Sequence, residues 1–207
     1  VIKTLREYKE PYFILGAGSN IVLNDKEIDG VVIKFTKLNG IEVYPEEDTI
    51  YAEAGAMLPK VVIDSVNNGL CGLEFAAGIP GTIGGAVYGN AGAYNACIMD
   101  YVKSVTVLDQ NNEIVTLEND DIFYEYRNTM FKQTKKYIIL GAKLYLREGS
   151  KEESESIQGS LKGIGVQIGI RDGKLLIIAP LEDTPGERAD LKSEDEILEI
   201  DGKTTKN

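Results

Sequence analysis

Apolar and polar positions change period several times along the first 148 residues. In "VIKTLREYKE", Ile2, Leu5 and Tyr8 recur at helical spacing, which predicts the end of a helix. "PYFILGAGSN" then predicts a short buried strand running into a glycine turn. "GVVIKF" and "TIYAEAGA" predict two more strands, and "LPKVVIDSVNNG" a helix with Pro59 in its first turn and Gly69 closing it. Further on, "VKSVTVLD", "EIVTL" and "KYIILGAKLYL" alternate as strands do, with "DQNNE" as the hairpin turn between the first two. The texture breaks at "REGSKEESESIQGS", which is polar, acidic and poor in apolar residues, as a linker or an exposed helix would be. This places a boundary between a module spanning residues 1–148 and a second spanning 149–207. In the second, "PGERADLKSEDEILEIDG" predicts a short helix from Pro185, a turn, and a strand closing at Gly202.

Composition narrows the chemistry. The 207 residues suffice for one large domain or two smaller ones, and a hydrophobic share of 43% against a charged share of 27% is that of a folded globular chain. A net charge of -11 argues against nucleic acid as a partner, because phosphate contacts need clustered Lys and Arg. The absence of histidine excludes a His-ligated metal and any catalytic unit built on imidazole. Cys71 and Cys97 lack zinc-type spacing and are expected as reduced, buried thiols in a cytosolic setting. No metal site is expected. No basic-then-apolar leader opens the chain at Val1.

From Phe75 to Met99 there is no charged side chain, yet Pro80, Asn90, Asn95 and repeated glycines argue against a membrane span. Glycine removes a Cβ and permits positive φ, so a glycine cluster lets backbone N–H groups close on a ligand. "GAGSN", Gly16–Asn20, is one candidate, with Ser19 and Asn20 adding side-chain donors; "PGTIGG", Pro80–Gly85, is a second. Two such loops from separate parts of the chain could grip a diphosphate from two sides. Each could equally be a tight turn between buried strands. "GAGSN" fits neither the dinucleotide G-x-G-x-x-G fingerprint nor a Walker loop.

The order of "ILGAGSNIVLND", "GLCGLEFAAGIPGTIGGAVYGNAGAYN" and "YEYRNTMFK" resembles the flavin-binding part of UDP-N-acetylenolpyruvoylglucosamine reductases, from about Tyr12 to Leu146. The resemblance implies an α+β, FAD-binding domain of the vanillyl-alcohol-oxidase/PCMH-like type. It further implies a bacterial, cytoplasmic enzyme with FAD as cofactor, NADPH as co-substrate and a UDP-sugar as substrate, acting in peptidoglycan precursor synthesis. On that pattern Gly16, Gly18, Ser19 and Asn20 lie on one side of the FAD pyrophosphate and Gly81, Thr82, Gly84 and Gly85 on the other. Val87, Gly92 and Ala93 approach the flavin ring. Arg127 falls on the family's active-site arginine, pairing with the substrate carboxylate, and Tyr126 sits beside it in the substrate pocket. The family also has a later substrate domain supplying a serine proton donor and a glutamate, and N-terminal flavin-binding strands. The sequence departs from that pattern after Leu146 and before Val1.

The tail from Gly163 to Thr205 resembles part of a PDZ domain of bacterial C-terminal processing proteases. That resemblance implies a partial PDZ-like β domain whose "GIGV" loop, Gly163, Ile164, Gly165 and Val166, captures peptide C-termini. Three readings stay open on sequence alone. The chain is a flavoprotein fragment that binds FAD without full turnover, a peptide-binding module, or a fusion that folds and binds nothing. Exposed edges of truncated sheets add a homo-oligomer as a possible partner state.

Overall fold

The computed structural model describes residues 1–22, 29–149, 166–171, 174–180, 185–200 and 203–205. The chain divides into two compact units, Val1–Gln158 and Gly159–Asn207.

The first unit is a mixed helix-and-strand fold. It opens with α1 (Ile2–Tyr8), β1 (Tyr12–Leu15), β2 (Val31–Lys34), β3 (Ile41–Tyr44) and β4 (Thr49–Glu53). Then come α2 (Leu58–Asn67), β5 (Leu70–Cys71), α3 (Ile83–Gly89), β6 (Gly92–Ala93) and β7 (Ala96–Cys97). The unit continues with β8 (Val102–Leu108), β9 (Ile114–Glu118), β10 (Tyr124–Glu125) and β11 (Asn128–Thr129). It ends in α4 (Met130–Thr134), β12 (Ile138–Tyr145) and β13 (Arg147–Glu148).

Its core is a five-stranded antiparallel sheet in the order β3-β4-β12-β8-β9. β12 lies in the middle because it is apolar on both faces; Ile138, Ile139, Ala142 and Leu144 are all buried. The β8–β9 hairpin closes through the expected turn, where the Asp109 carboxylate accepts from the N–H groups of Asn111 and Glu113 at 2.8 Å and Asn112 adopts φ 64°. α2 buries Leu58, Val61, Val62 and Val66 along one stripe. Full burial of each such side chain contributes about 1.5–3 kcal/mol. Pro59 stands in its first turn, and Gly69 follows its end at φ 76°. Among the described residues no helix is long and apolar enough to cross a membrane.

Two expectations need correction, and one strand was not foreseen. β1 is not a buried strand: it pairs in parallel with β2 in a separate two-stranded sheet that leaves Phe13, Val31 and Val32 exposed. β3 has no counterpart in the sequence reading, since "IEVY" is too short an alternation to stand out. The glycine-rich stretch is not all turn either, because Ile83–Gly89 forms α3. Its glycines disfavour a helix intrinsically, and packing of Ile83, Ala86 and Val87 into the core outweighs that cost.

The second unit contains the antiparallel hairpin β14 (Val166–Arg171) and β15 (Lys174–Pro180), then α5 (Pro185–Arg188), β16 (Glu199–Ile200) and β17 (Lys203–Thr204). The helix at Pro185 is where the sequence places it. The expected "EILEID" strand divides: Glu196 bridges Leu176 of β15, and Glu199–Ile200 pairs with β17. Gly163, Ile164 and Gly165 lie outside the described residues, and Val166 begins β14.

Candidate functional site

The two glycine loops meet. β1 delivers Gly16–Asn20, and the Ser19 hydroxyl donates to the Pro80 carbonyl at 3.0 Å. A Cβ on Gly16 would stand 2.5 Å from Thr82 Oγ1, and one on Gly81 3.1 Å from Ser19 Oγ. The second loop is fixed in turn by strand-like bonding to the segment before α2: Leu58 N donates to Gly81 O at 2.9 Å and Ile83 N to Ala56 O at 2.9 Å. Gly18 at φ 82° and Gly81 at φ 132° hold conformations that L side chains rarely adopt. Among the described residues, the N–H groups of Gly18, Ser19, Gly81 and Thr82 donate to no protein acceptor. Gly18, Ser19 and the Asn20 side chain are exposed on the joined rim of the two loops, with Gly81 part-buried and Thr82 buried beside them.

α3 starts at this rim. Thr82 is its N-cap, accepting from Gly85 N at 3.4 Å. Gly84 and Gly85 differ in what surrounds them. Gly84 lies against β4, its N–H bonded to Ala54 O at 2.9 Å, and a Cβ there would come within 2.9 Å of both Ala54 Cβ and Ala54 O. Its bareness serves packing. Gly85 is exposed, and a Cβ there would meet Thr82 Oγ1 at an ordinary 3.6 Å. Val87 does not face a ligand surface: it is fully buried, on the core side of α3. The exposed side of α3 carries Gly85 and the partly exposed Tyr88, whose phenol is pushed above its ordinary range by burial.

At the other end of α3 the chain folds into the β6–β7 hairpin, whose turn residues Tyr94 and Asn95 sit at φ 51° and 63°. A Cβ on Gly92 would stand 2.5 Å from Ala96 O and 3.0 Å from Cys97 Cβ, so only glycine fits at this strand position. Gly92 and Ala93 are half-buried. Facing them is the β10–β11 hairpin, with Tyr126 and Arg127 as its two-residue turn. Arg127 takes φ 56°, unusual for a residue with a side chain and of the kind that clusters at working sites. One guanidinium nitrogen donates to Gly92 O at 2.9 Å, and the group stands 5.6 Å from the centroid of the Tyr126 ring, itself 87% exposed. The structure therefore brings Tyr126, Arg127, Gly92 and Ala93 to one end of α3 and the two glycine loops to the other.

Sequence reasoning missed the residues that hold the arginine hairpin. Asn90, 3% exposed, caps α3 at φ 45°, donates to Glu125 O at 2.9 Å and accepts from Met99 N at 3.3 Å. Thr129, fully buried, donates to Tyr88 O at 2.8 Å. The readable signal for Asn90 was an Asn following a helix-terminal glycine, a left-handed C-cap pattern. Nothing in the sequence marks Thr129. Of the thiols, Cys71 is buried, whereas Cys97 is partly exposed against expectation; burial first and Asp100 second push its thiol upward. No His/Cys/Asp/Glu group suited to a metal occurs among the described residues. A separate open cleft of about 410 Å³ beside α1, lined chiefly by Ile2, Phe35, Leu38, Leu108, Ile138 and Leu140, contains none of the expected site residues.

Comparison with known proteins places this geometry. Residues 1–118 match the family described as FAD binding domain. The UDP-N-acetylenolpyruvoylglucosamine reductase of Clostridium novyi (strain NT) is 42% identical over 161 residues, which are 78% of this chain and 50% of that protein. The same-named protein of Clostridium perfringens (strain SM101 / Type A) is 45% identical over 148 residues, 72% of this chain and 48% of that one. The chain thus spans about half the length of the curated relatives it matches. The crystal structure of UDP-N-acetylenolpyruvylglucosamine reductase from Thermus caldophilus shares the fold, with a TM-score of 0.63 at 21% identity, covering 99% of this chain and 80% of that one. This chain belongs to the FAD-binding domain family, and it is similar in sequence to UDP-N-acetylenolpyruvoylglucosamine reductases.

Proposed function

We propose that the first unit holds FAD for the reduction of UDP-N-acetylenolpyruvoylglucosamine, with NADPH as the electron source, as part of peptidoglycan precursor synthesis in the bacterial cytoplasm. The observation that carries this reading is the contact between the two glycine loops, whose Gly18, Ser19 and Gly81 N–H groups have no acceptor among the described residues, while the Arg127 guanidinium bonds to Gly92 O past the far end of the same helix. The residues present fit an extended, anionic cofactor with a flat apolar end. Gly18, Ser19, Asn20, Gly81, Thr82 and Gly85 would hold the pyrophosphate, and Gly92 and Ala93 would lie against the ring system. The chemistry a bound FAD supplies is hydride transfer, first from NADPH and then toward the enolpyruvyl double bond.

The remaining work falls to the chain's own side chains. Arg127 contributes one nitrogen to Gly92 O, so its other N–H groups remain to pair with the substrate carboxylate and offset the negative charge that develops beside it. Tyr126, exposed beside it, would stack on or hydrogen-bond to the sugar. The test is the visible spectrum of the purified protein, followed by chromatography of what heat releases. A yellow protein that yields FAD supports the reading. A colourless protein that cannot be reconstituted with FAD rejects it.

A further inference from the structure

Three side-chain-to-backbone bonds join the end of α3 to the arginine hairpin in consecutive steps. Thr129 Oγ1 donates to Tyr88 O, Asn90 Nδ2 to Glu125 O, and the Arg127 guanidinium to Gly92 O. The third bond differs from the others. It uses the group proposed to pair with the substrate, on an exposed residue, so a carboxylate arriving at Arg127 competes with it. The first two are made by buried side chains that no ligand reaches. Two more features single out Asn90. Its carboxamide uses both ends at once, accepting from Met99 N while donating to Glu125 O. Its own backbone, at φ 45°, turns the chain from α3 toward Gly92.

We propose that Asn90 is a positioning residue for Arg127: its carboxamide fixes the β10–β11 hairpin to the end of α3, so that the Tyr126–Arg127 turn keeps its place over Gly92 when the guanidinium lets go of Gly92 O. This rests on the reading of Arg127 as the carboxylate-pairing group. The physical reason is that a two-stranded hairpin of two residues per strand has too few backbone bonds to hold its own orientation. A buried amide with both ends satisfied supplies a direction that packing alone does not.

Asn90→Gly and Asn90→Asp separate this role from a merely structural one. Glycine is at ease at the left-handed helix end and loses both amide bonds. Aspartate keeps the acceptor for Met99 N and loses the donor to Glu125 O. Hydrogen–deuterium exchange on the full chain is expected to run about tenfold faster at residues 124–130 in both variants, with residues 83–89 unchanged. In the FAD-loaded protein, the preference for UDP-N-acetylenolpyruvoylglucosamine over the same UDP-sugar lacking the enolpyruvyl group is expected to fall about tenfold, with FAD affinity within about twofold of the parent. Unchanged exchange in the hairpin overturns the proposal. So does exchange that accelerates equally in α3 and the hairpin, and so does a loosened hairpin with the carboxylate preference intact. If the parent protein binds neither FAD nor the sugar, the functional reading fails, and the exchange arm alone decides whether Asn90 holds the hairpin.

Discussion

Gly84 and Gly85 are neighbours on α3 with opposite expected responses to one methyl group. At Gly84 the added Cβ would lie 2.9 Å from Ala54 Cβ and 2.9 Å from Ala54 O, both on or next to backbone that cannot rotate away. Relief requires α3 to move off β4, which stretches the 2.9 Å bond from Gly84 N to Ala54 O. Overpacking of this kind costs about 1–3 kcal/mol, and alanine recovers about 1 kcal/mol of helix propensity, leaving Gly84→Ala less stable by about 1 kcal/mol. For a unit of this size the melting temperature should drop by about 2–4 °C. At Gly85 the Cβ enters open space with an ordinary contact at 3.6 Å, so Gly85→Ala gains up to about 1 kcal/mol and melts about 2–4 °C higher. The two variants should also part in cofactor binding. Gly85→Ala folds and weakens FAD, because its methyl stands on the exposed first turn of α3, beside the loops proposed to hold the pyrophosphate. Thermal unfolding followed by circular dichroism, with FAD titration beside it, reads both effects. A Gly84→Ala protein as stable as the parent would refute the close-approach argument. A stable Gly85→Ala protein with unchanged FAD affinity would remove Gly85 from the proposed site.

Gly16→Ala should drive the two loops apart, since its Cβ would stand 2.5 Å from Thr82 Oγ1; FAD affinity is expected to fall at least about tenfold while melting changes by only about 2–4 °C, because the disturbed N-cap contributes about 1 kcal/mol. Cys97 should alkylate with a pH midpoint above that of an ordinary thiol, because burial disfavours its thiolate, and Cys71 should react only on unfolding; mass mapping after iodoacetamide at several pH values checks both. Lys143 holds the Glu47 carboxyl below its usual range through a hydrogen bond and its charge, at 2.7 Å. A depressed carboxyl adds stability above its unfolded value and loses it as pH falls through its folded value. The melting difference between the parent and Lys143→Met should therefore be present at neutral pH and shrink toward zero in acid, and a pH-independent difference would assign the effect to packing over Tyr44.

Wherever apolar residues recur with an unambiguous period, the chain announces its elements locally. α2, β8 and β9 are readable because their burial follows the side-chain period, β12 because its apolar run marks a strand covered on both faces, and the Asp109–Glu113 turn because Asp and Asn make local bonds that favour turning. The candidate site was legible through motif order: Gly16–Asn20, Pro80–Gly85 and Tyr126–Arg127 do come to the two ends of one helix. Tertiary structure alone decided that this helix exists, since a sequence of glycines reads as turn until Ala54 is seen to demand Gly84 and the core to accept Ile83, Ala86 and Val87. It turned Val87 inward, left β1 and β2 exposed, and set Asn90 and Thr129 on carbonyls 35 and 41 residues away. Local propensity and periodicity act within a few residues, so the sequence by itself determined most of the elements and the chemistry of the loops. Long-range contacts decide which face of an element is covered and which polar side chain finds a distant partner, and no local pattern encodes them.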